Sequence, residues 1–141
     1  MNQSDVRAGA FRIPAGEDLA DKAGRLVVMT HDTGVPEVKL PADNGDYALY
    51  LLVDGGEDGE NVDVGPLVSG ENCRVTLKGT CNPGDVLVLA DVGTEADRGK
   101  VRVLPAAAGT YRGLAVAEEK GVDGQSVLCR PAMIGVITVA G

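Results

Sequence analysis

The chain has one histidine, His31, and histidine is the usual acid–base residue near neutral pH. A Ser-His-Asp triad would also need a serine held beside the imidazole ring. The available serines are Ser4, Ser69 and Ser126, and none of them lies in a G-x-S-x-G sequence. We therefore interpret His31 as a polar residue at the end of a strand, and we expect no catalytic residue and no enzyme.

The triplet Asp32-Thr33-Gly34 is the one sequence that resembles a catalytic motif. An Asp-Thr-Gly triplet after an apolar strand is typical of dimeric aspartic proteases, in which two carboxylates share one proton. The polar pair Thr30-His31 stands directly before Asp32, where those proteases have apolar residues. Because Asp-x-Gly is also common in turns, we predict a turn and keep a protease that uses Asp32 as the least favoured alternative.

The acidic stretch Asp54–Asp63 has the composition of a calcium loop but not its spacing. An EF-hand loop needs a bidentate glutamate at its twelfth position, and counting from Asp54 that position is Gly65. A looser site would use Asp54, Asp58, Glu60 and Asp63. We predict a solvated loop and no metal site, because a run of like charges is usually exposed to solvent.

The cysteines, at positions 73, 81 and 129, are three in number, and no two of them have C-x-x-C spacing. This spacing and the single histidine do not support a zinc site. The sequence also lacks a Walker loop and a G-x-G-x-x-G motif, so we expect no cofactor. We predict reduced, partly buried thiols, and a bridge between Cys73 and Cys81 across a hairpin stays open.

Short strands must position all of these residues. Apolar runs rich in valine alternate with Gly, Pro and Asp, and the period of two within each run is typical of antiparallel strands. With 20 Gly, 7 Pro and only 3% aromatic residues, helix is disfavoured and the core must be aliphatic. We predict an all-β fold, a small antiparallel β-barrel or sandwich with an extended N-terminal arm. The predicted strands are 24–31, 47–53, 62–68, 72–78, 85–90, 99–104, 110–117, 125–130 and 134–139, with 38–40 at an edge because Pro36 and Pro41 flank it.

Residues 1–23 are predicted to form the N-terminal arm, and residues 24–141 a single β domain. The arm has one apolar group, around Phe11, Arg12 and Ile13. We predict that these three residues bind a neighbouring subunit, by pairing with an exposed strand edge. The alternative is that Phe11 and Ile13 fold back onto the domain of their own chain.

The net charge of −8 comes from 13 basic and 21 acidic residues, and no Lys/Arg cluster is present. Nucleic-acid binding normally needs a basic patch, so we expect no nucleic-acid partner. No apolar run approaches the length of a membrane span, so we expect no membrane partner either. An acidic surface favours solubility and would suit a partner with a basic patch.

The stretch from Pro83 to Arg130 resembles the small β-rich capsid decoration proteins of tailed bacteriophages, also called cement or head-stabilising proteins. Four segments carry the resemblance, in the order of that family's core. They are the strand opening Gly84–Leu89, the hairpin Gly99–Val103, the "G-hydrophobic-A" strand Tyr111–Ala115 and the final D-G-x-x-V strand Asp123–Arg130.

This resemblance implies a structural protein of the virion, without enzyme activity or cofactor, made in the cytoplasm of the host bacterium. It implies binding to the outer surface of the expanded head, where the protein would stabilise contacts between major capsid subunits. It also implies that the protein itself is a homotrimer. A cytosolic β-sandwich module that binds a peptide or a glycan is the alternative. Such modules usually present aromatic side chains in a groove, and three Tyr, one Phe and no Trp argue against a glycan.

Overall fold

The structure is a computed structural model that describes residues 9–141. In this part of the chain, β-strands dominate and the one helical element is a short 3-10 turn at Glu95–Asp97. The strands are β1 Phe11–Pro14, β2 Leu26–Thr30, β3 Glu37–Lys39, β4 Tyr50–Asp54, β5 Asn61–Pro66, β6 Cys73–Thr76, β7 Val86–Leu89, β8 Val101–Val103, β9 Gly109–Ala117 and β10 Ser126–Val139.

The strands form two antiparallel sheets of five strands each. The first sheet has the order β1-β5-β4-β2-β3 and the second has the order β6-β10-β9-β7-β8. In each sheet the two edge strands approach through one isolated parallel bridge, Ala15 to Val38 and Leu77 to Val101. The sheets are therefore curved without closing into a barrel, which confirms the all-β prediction in its sandwich-like form.

The two sheets have the same plan, since adding five to each strand number of the first sheet gives the order of the second. Their hydrogen bonds also correspond. Gly59 N donates to Ala15 O at 2.9 Å, and Gly124 N donates to Leu77 O at 2.8 Å. Both glycines have positive φ, 86° and 82°, the left-handed conformation in which glycine avoids the strain of a Cβ atom. The chain is therefore built as a structural duplication.

The side chains of the two hairpin loops repeat this correspondence. Glu60 Oε1 accepts a hydrogen bond from Glu57 N at 2.7 Å, and Gln125 Oε1 accepts one from Val122 N at 3.1 Å. The sequence shows no clean internal repeat, so this duplication becomes visible only in the structure. The two halves share backbone geometry, which depends on a few residues such as the glycines with positive φ, Gly59 and Gly124.

Each sheet encloses its own buried aliphatic cluster. The first cluster is Ile13, Ala15, Leu19, Val27, Val38, Leu40, Leu52, Val62 and Val64. The second is formed mainly by the second sheet and also includes Leu26 and Ala48 from the first half of the chain. Burial of aliphatic area at roughly 25 cal/mol per Å² is the main driving force for both.

Backbone hydrogen bonds join the two halves where β2 meets the second sheet. Thr76 N donates to Gly24 O at 2.8 Å, and Leu26 N donates to Gly99 O at 2.7 Å. The guanidinium of Arg25 donates to the carbonyl oxygens of Ala96 and Arg98 at 3.0 and 3.1 Å. These bonds hold the two sheets in a fixed arrangement.

Several strand predictions are confirmed, but the division of the last strand into two is wrong. The Tyr47–Val53 run forms the central strand β4, although it starts at Tyr50, and the piece between two prolines is the edge strand β3. The predicted strands 125–130 and 134–139 are one strand, β10, whose pairing with β9 shifts register between Pro131 and Gly135. This β-bulge lets the strand bend without ending.

Among residues 9–141, no helix has both the length and the apolar character to cross a membrane.

Candidate binding surface

His31 and Asp32 lie on the exposed turn between β2 and β3. Gly34 N donates to His31 O at 3.1 Å, and Gly34 has a φ of 86°, so the triplet is a turn. The Asp32 carboxylate accepts a hydrogen bond from Lys39 at 3.2 Å, while the Thr33 hydroxyl donates to Glu37 at 3.0 Å. A protease carboxylate that shares a proton is shielded from such a cation, so this geometry does not support proteolysis.

The acidic stretch forms the loop between β4 and β5 together with the start of β5. Glu60 closes this loop through its bond to Glu57, and Asp63 lies 3.5 Å from Arg12 in an ion pair. Within residues 9–141, no three His, Cys, Asp or Glu residues are grouped so as to hold a metal ion. Two of these carboxylates therefore have structural contacts: Glu60 accepts a hydrogen bond within the loop, and Asp63 pairs with Arg12 on the neighbouring strand β1.

All three cysteines are free, but two of them are close together. Cys73 on β6 and Cys129 on β10 face each other in antiparallel register, with 4.0 Å between their sulfur atoms. Cys81 is buried apart from this pair, and its thiol contacts the Glu119 carbonyl oxygen at 3.5 Å. The pair that the fold brings together is therefore Cys73 with Cys129, and not Cys73 with Cys81.

The residues predicted to bind a partner lie in strand β1, which pairs with β5 of the same chain. Ile13 is only 6% exposed and belongs to the first buried cluster. Phe11 packs edge-on against Tyr50, with 5.9 Å between ring centroids. Arg12 points outward. Phe11 and Ile13 therefore pack on their own chain, while binding of a neighbouring subunit by Phe11, Arg12 and Ile13 stays a prediction. Residues 1–8 of the predicted arm lie outside the described residues.

A groove of about 390 Å³ lies where the end of the first sheet meets the bulge of β10. We call it the junction groove. Its lining is mainly apolar. Among the described residues that line it, Arg112 is the one with a charged side chain. It is lined by Tyr47, Leu49, Leu67, Val68, Ser69, Arg112, Gly113, Leu114, Pro131, Ala132, Met133 and Gly135. The surface of a protein with a net charge of −8 thus includes a neutral to basic depression.

Arg112 connects the two sides of the junction groove. Its guanidinium carbon lies 3.5 Å from the centroid of the Tyr47 ring, and its Nε donates to Gly45 O at 2.8 Å. A cation over an aromatic face is attracted by the ring quadrupole. The stacking holds Tyr47, which is 53% exposed, in one orientation at the groove.

Large apolar side chains are exposed on β10 beside the junction groove. Met133 is 78% exposed, and Ile134 and Val136 are also exposed. This part of β10 pairs with β9 on one side, whereas β6 pairs with β10 only at Ser126–Cys129. Among residues 9–141, no strand pairs with its other edge. An edge of this kind is the usual template for adding a strand from another chain.

The sequence did not reveal this surface, although one signal was present. The run Ile134–Val139 is rich in β-branched residues and was interpreted as a closing strand. Its apolar residues fall on both faces of the β9–β10 ribbon, and in the described part of the chain Ile134 and Val136 are exposed. Exposed apolar patches rimmed by polar residues commonly mark contact surfaces.

Comparison with known proteins supplies an informative similarity of fold. No protein-family model matches the chain, and no curated protein matches it. Among solved structures, the fold is similar to the crystal structure of the head fiber gp8.5 N base in bacteriophage phi29, with a TM-score of 0.66 and 18% sequence identity. The similarity covers 89% of this chain and 95% of that one. At this identity it shows a shared fold.

Proposed function

We propose that this protein is a structural component of a bacteriophage virion that attaches to the outer surface of the head. The observation that carries the proposal is the similarity of nearly the whole chain to the base of a phage head fiber. Because the match covers 89% of the chain, it includes residues from both sheets. Fold alone does not determine function, so the contact surface has to support the proposal separately.

The junction groove and the adjacent part of β10 support it as the contact surface. Together they combine an apolar depression, exposed Met133 and a strand edge with which no other strand of residues 9–141 pairs. Such a surface suits a protein partner, because it offers both apolar area and backbone hydrogen bonds.

The proposed partner is the major capsid protein in the expanded head. A ligand that binds the assembled shell and not its free subunits stabilises the shell, by about 2.7 kcal/mol per site at a hundred times Kd. If one copy contacts several capsid subunits, avidity adds to this without new kinds of contact. We include in the proposal that the protein acts as a homotrimer, which sedimentation equilibrium of the purified protein would test.

The decisive experiment is co-sedimentation of the purified protein with expanded and unexpanded heads of its phage, prepared without this protein. We expect saturable binding to expanded heads. Met133→Asp should weaken binding at least tenfold, because a charge would be buried unpaired in the contact.

Val122→Asp is the matched control, since Val122 is 58% exposed in the turn at the other end of the β9–β10 hairpin. It should bind as the wild type does. Absence of binding by the folded wild-type protein to either head form would overturn the virion role. Equal loss of binding in both variants would overturn the contact surface only.

A further inference from the structure

We infer that Cys73 and Cys129 form a dithiol that a small-molecule disulfide, such as oxidised glutathione, converts into an intramolecular disulfide between β6 and β10. The two residues are direct cross-strand partners, and their sulfur atoms are 4.0 Å apart. This inference does not depend on the proposed virion role.

The backbone geometry fits such a bond. Facing residues of an antiparallel pair have Cα atoms about 4.5–5.5 Å apart, inside the range of about 4.4–6.8 Å that disulfides span. The sulfur atoms must approach by roughly 2 Å to reach the S–S bond length. Cys73 is the first residue of β6, whereas the bond from Thr76 N to Gly24 O and the Leu77–Val101 bridge lie at the other end of this edge strand. A local adjustment at Cys73 therefore leaves those contacts in place.

The surroundings of the two thiols give them different roles. Cys73 is partly exposed and lines a shallow depression of about 70 Å³ together with Leu51, Pro66 and Asn72. Cys129 is fully buried behind it. A hydrogen bond from Cys129 lowers the pKa of the Cys73 thiol, while the same pairing and burial raise the pKa of Cys129. The accessible sulfur is therefore the one that forms the thiolate, which is the reactive form.

The reaction balances in two exchange steps. The Cys73 thiolate attacks one sulfur of oxidised glutathione, forming a mixed disulfide and releasing one glutathione thiolate. Cys129 then loses its proton to solvent, and its sulfur attacks Cys73 Sγ and releases the second glutathione. The protein loses two hydrogen atoms and the glutathione disulfide is reduced to two thiols. In a reducing compartment the exchange runs backwards and the pair stays free.

The test is to incubate the folded wild-type protein with oxidised glutathione, block the remaining thiols in denaturant, and map the tryptic peptides. Because trypsin does not cleave the Arg130–Pro131 bond, Cys73, Cys129 and Cys81 fall in fragments 40–74, 121–141 and 79–98. We expect fragments 40–74 and 121–141 to be joined, with Cys81 blocked. The thermal midpoint should rise, because the bond closes a long loop in the unfolded chain.

Two variants locate the chemistry. Cys129→Ser should stop at the mixed disulfide and retain one glutathione on Cys73, whereas Cys81→Ser should form the bridge as the wild type does. The inference is overturned if all three thiols of the wild type remain free, if glutathione stays on wild-type Cys73, or if Cys81 is found in the bridge. Since each of these outcomes is read on the wild-type protein, a variant that fails to fold does not affect the test.

Discussion

The Arg112 side chain of the second sheet stacks on the Tyr47 ring of the first half of the chain, at 3.5 Å from its guanidinium carbon to the ring centroid. Its Nε is at the same time bonded to the carbonyl oxygen of Gly45. One side chain therefore fixes the segment that leads into β4 against β9. It also gives the junction groove its shape.

Replacing Arg112 should destabilise the protein as well as open the junction groove. Arg112→Ala removes one cation–π contact and one side-chain hydrogen bond, so we expect a loss of about 1–2 kcal/mol in the free energy of unfolding. Urea denaturation measures this loss. In a double-mutant cycle with Tyr47→Ala, a coupling near zero would contradict the stacking, because residues in contact should not be additive.

Neighbouring residues of β1 should differ sharply in their effect on stability. Ile13→Ala should cost about 2–4 kcal/mol, because Ile13 is buried in the first cluster and truncation leaves a cavity. Arg12→Ala is the matched control and should change stability by less than about 0.5 kcal/mol, since exposed ion pairs contribute little. Equal effects in chemical denaturation would show that β1 is not held in its sheet.

The duplicated loops should respond equally to the same substitution. A Cβ atom at Gly59 or Gly124 would meet no neighbour within 4 Å, yet both residues have positive φ. Each change to alanine should therefore cost about 1 kcal/mol through backbone strain alone. Gly70→Ala is the control, because Gly70 has free space and no such φ. If the costs at 59 and 124 differed by more than about 1 kcal/mol, the equivalence of the loops would fail.

Asp97 should make stability depend on pH. It is the buried last residue of the 3-10 turn, and its carboxylate lies 3.0 Å from the Lys100 ammonium and 3.7 Å from that of Lys78. The hydrogen bond from Lys100 lowers the pKa of the Asp97 carboxyl; partial burial opposes this shift, and the charges of Lys100 and Lys78 add to it. Because the pKa is lower in the folded state, the stabilisation is complete above the unfolded pKa, near 3.9, and is lost as pH falls through the folded pKa.

Asp97→Asn should therefore be less stable than the wild type by about 1 kcal/mol at pH 7. The difference should shrink in acid, below about pH 4. Thermal unfolding at a series of pH values measures it. Asp58→Asn, in the exposed acidic loop, is the control and should show no such gap. A difference for Asp97→Asn that persists unchanged at pH 2 would rule out the ion pair as its cause.

The sequence predicts most strands because short segments keep recognisable patterns. Cys73–Thr76 alternates apolar and polar residues, and Val86–Leu89 is a short apolar run between turn residues. It does not reveal β1, a strand of four residues that ends in proline. It also hides the junction groove, since Tyr47, Val68 and Met133 come from distant parts of the chain. The pairing of Cys73 with Cys129 likewise depends on the register of β6 and β10, which no local pattern fixes.

The equal strand plans of the two halves have a consequence for biosynthesis. In each half the first strand pairs with the last, β1 with β5 and β6 with β10, so equivalent strands compete for equivalent places when the whole chain refolds at once. On the ribosome β5 is available to β1 before β10 exists, and the competition is removed. We expect dilution from denaturant to give a slow refolding phase from exchanged strands, which vectorial synthesis avoids.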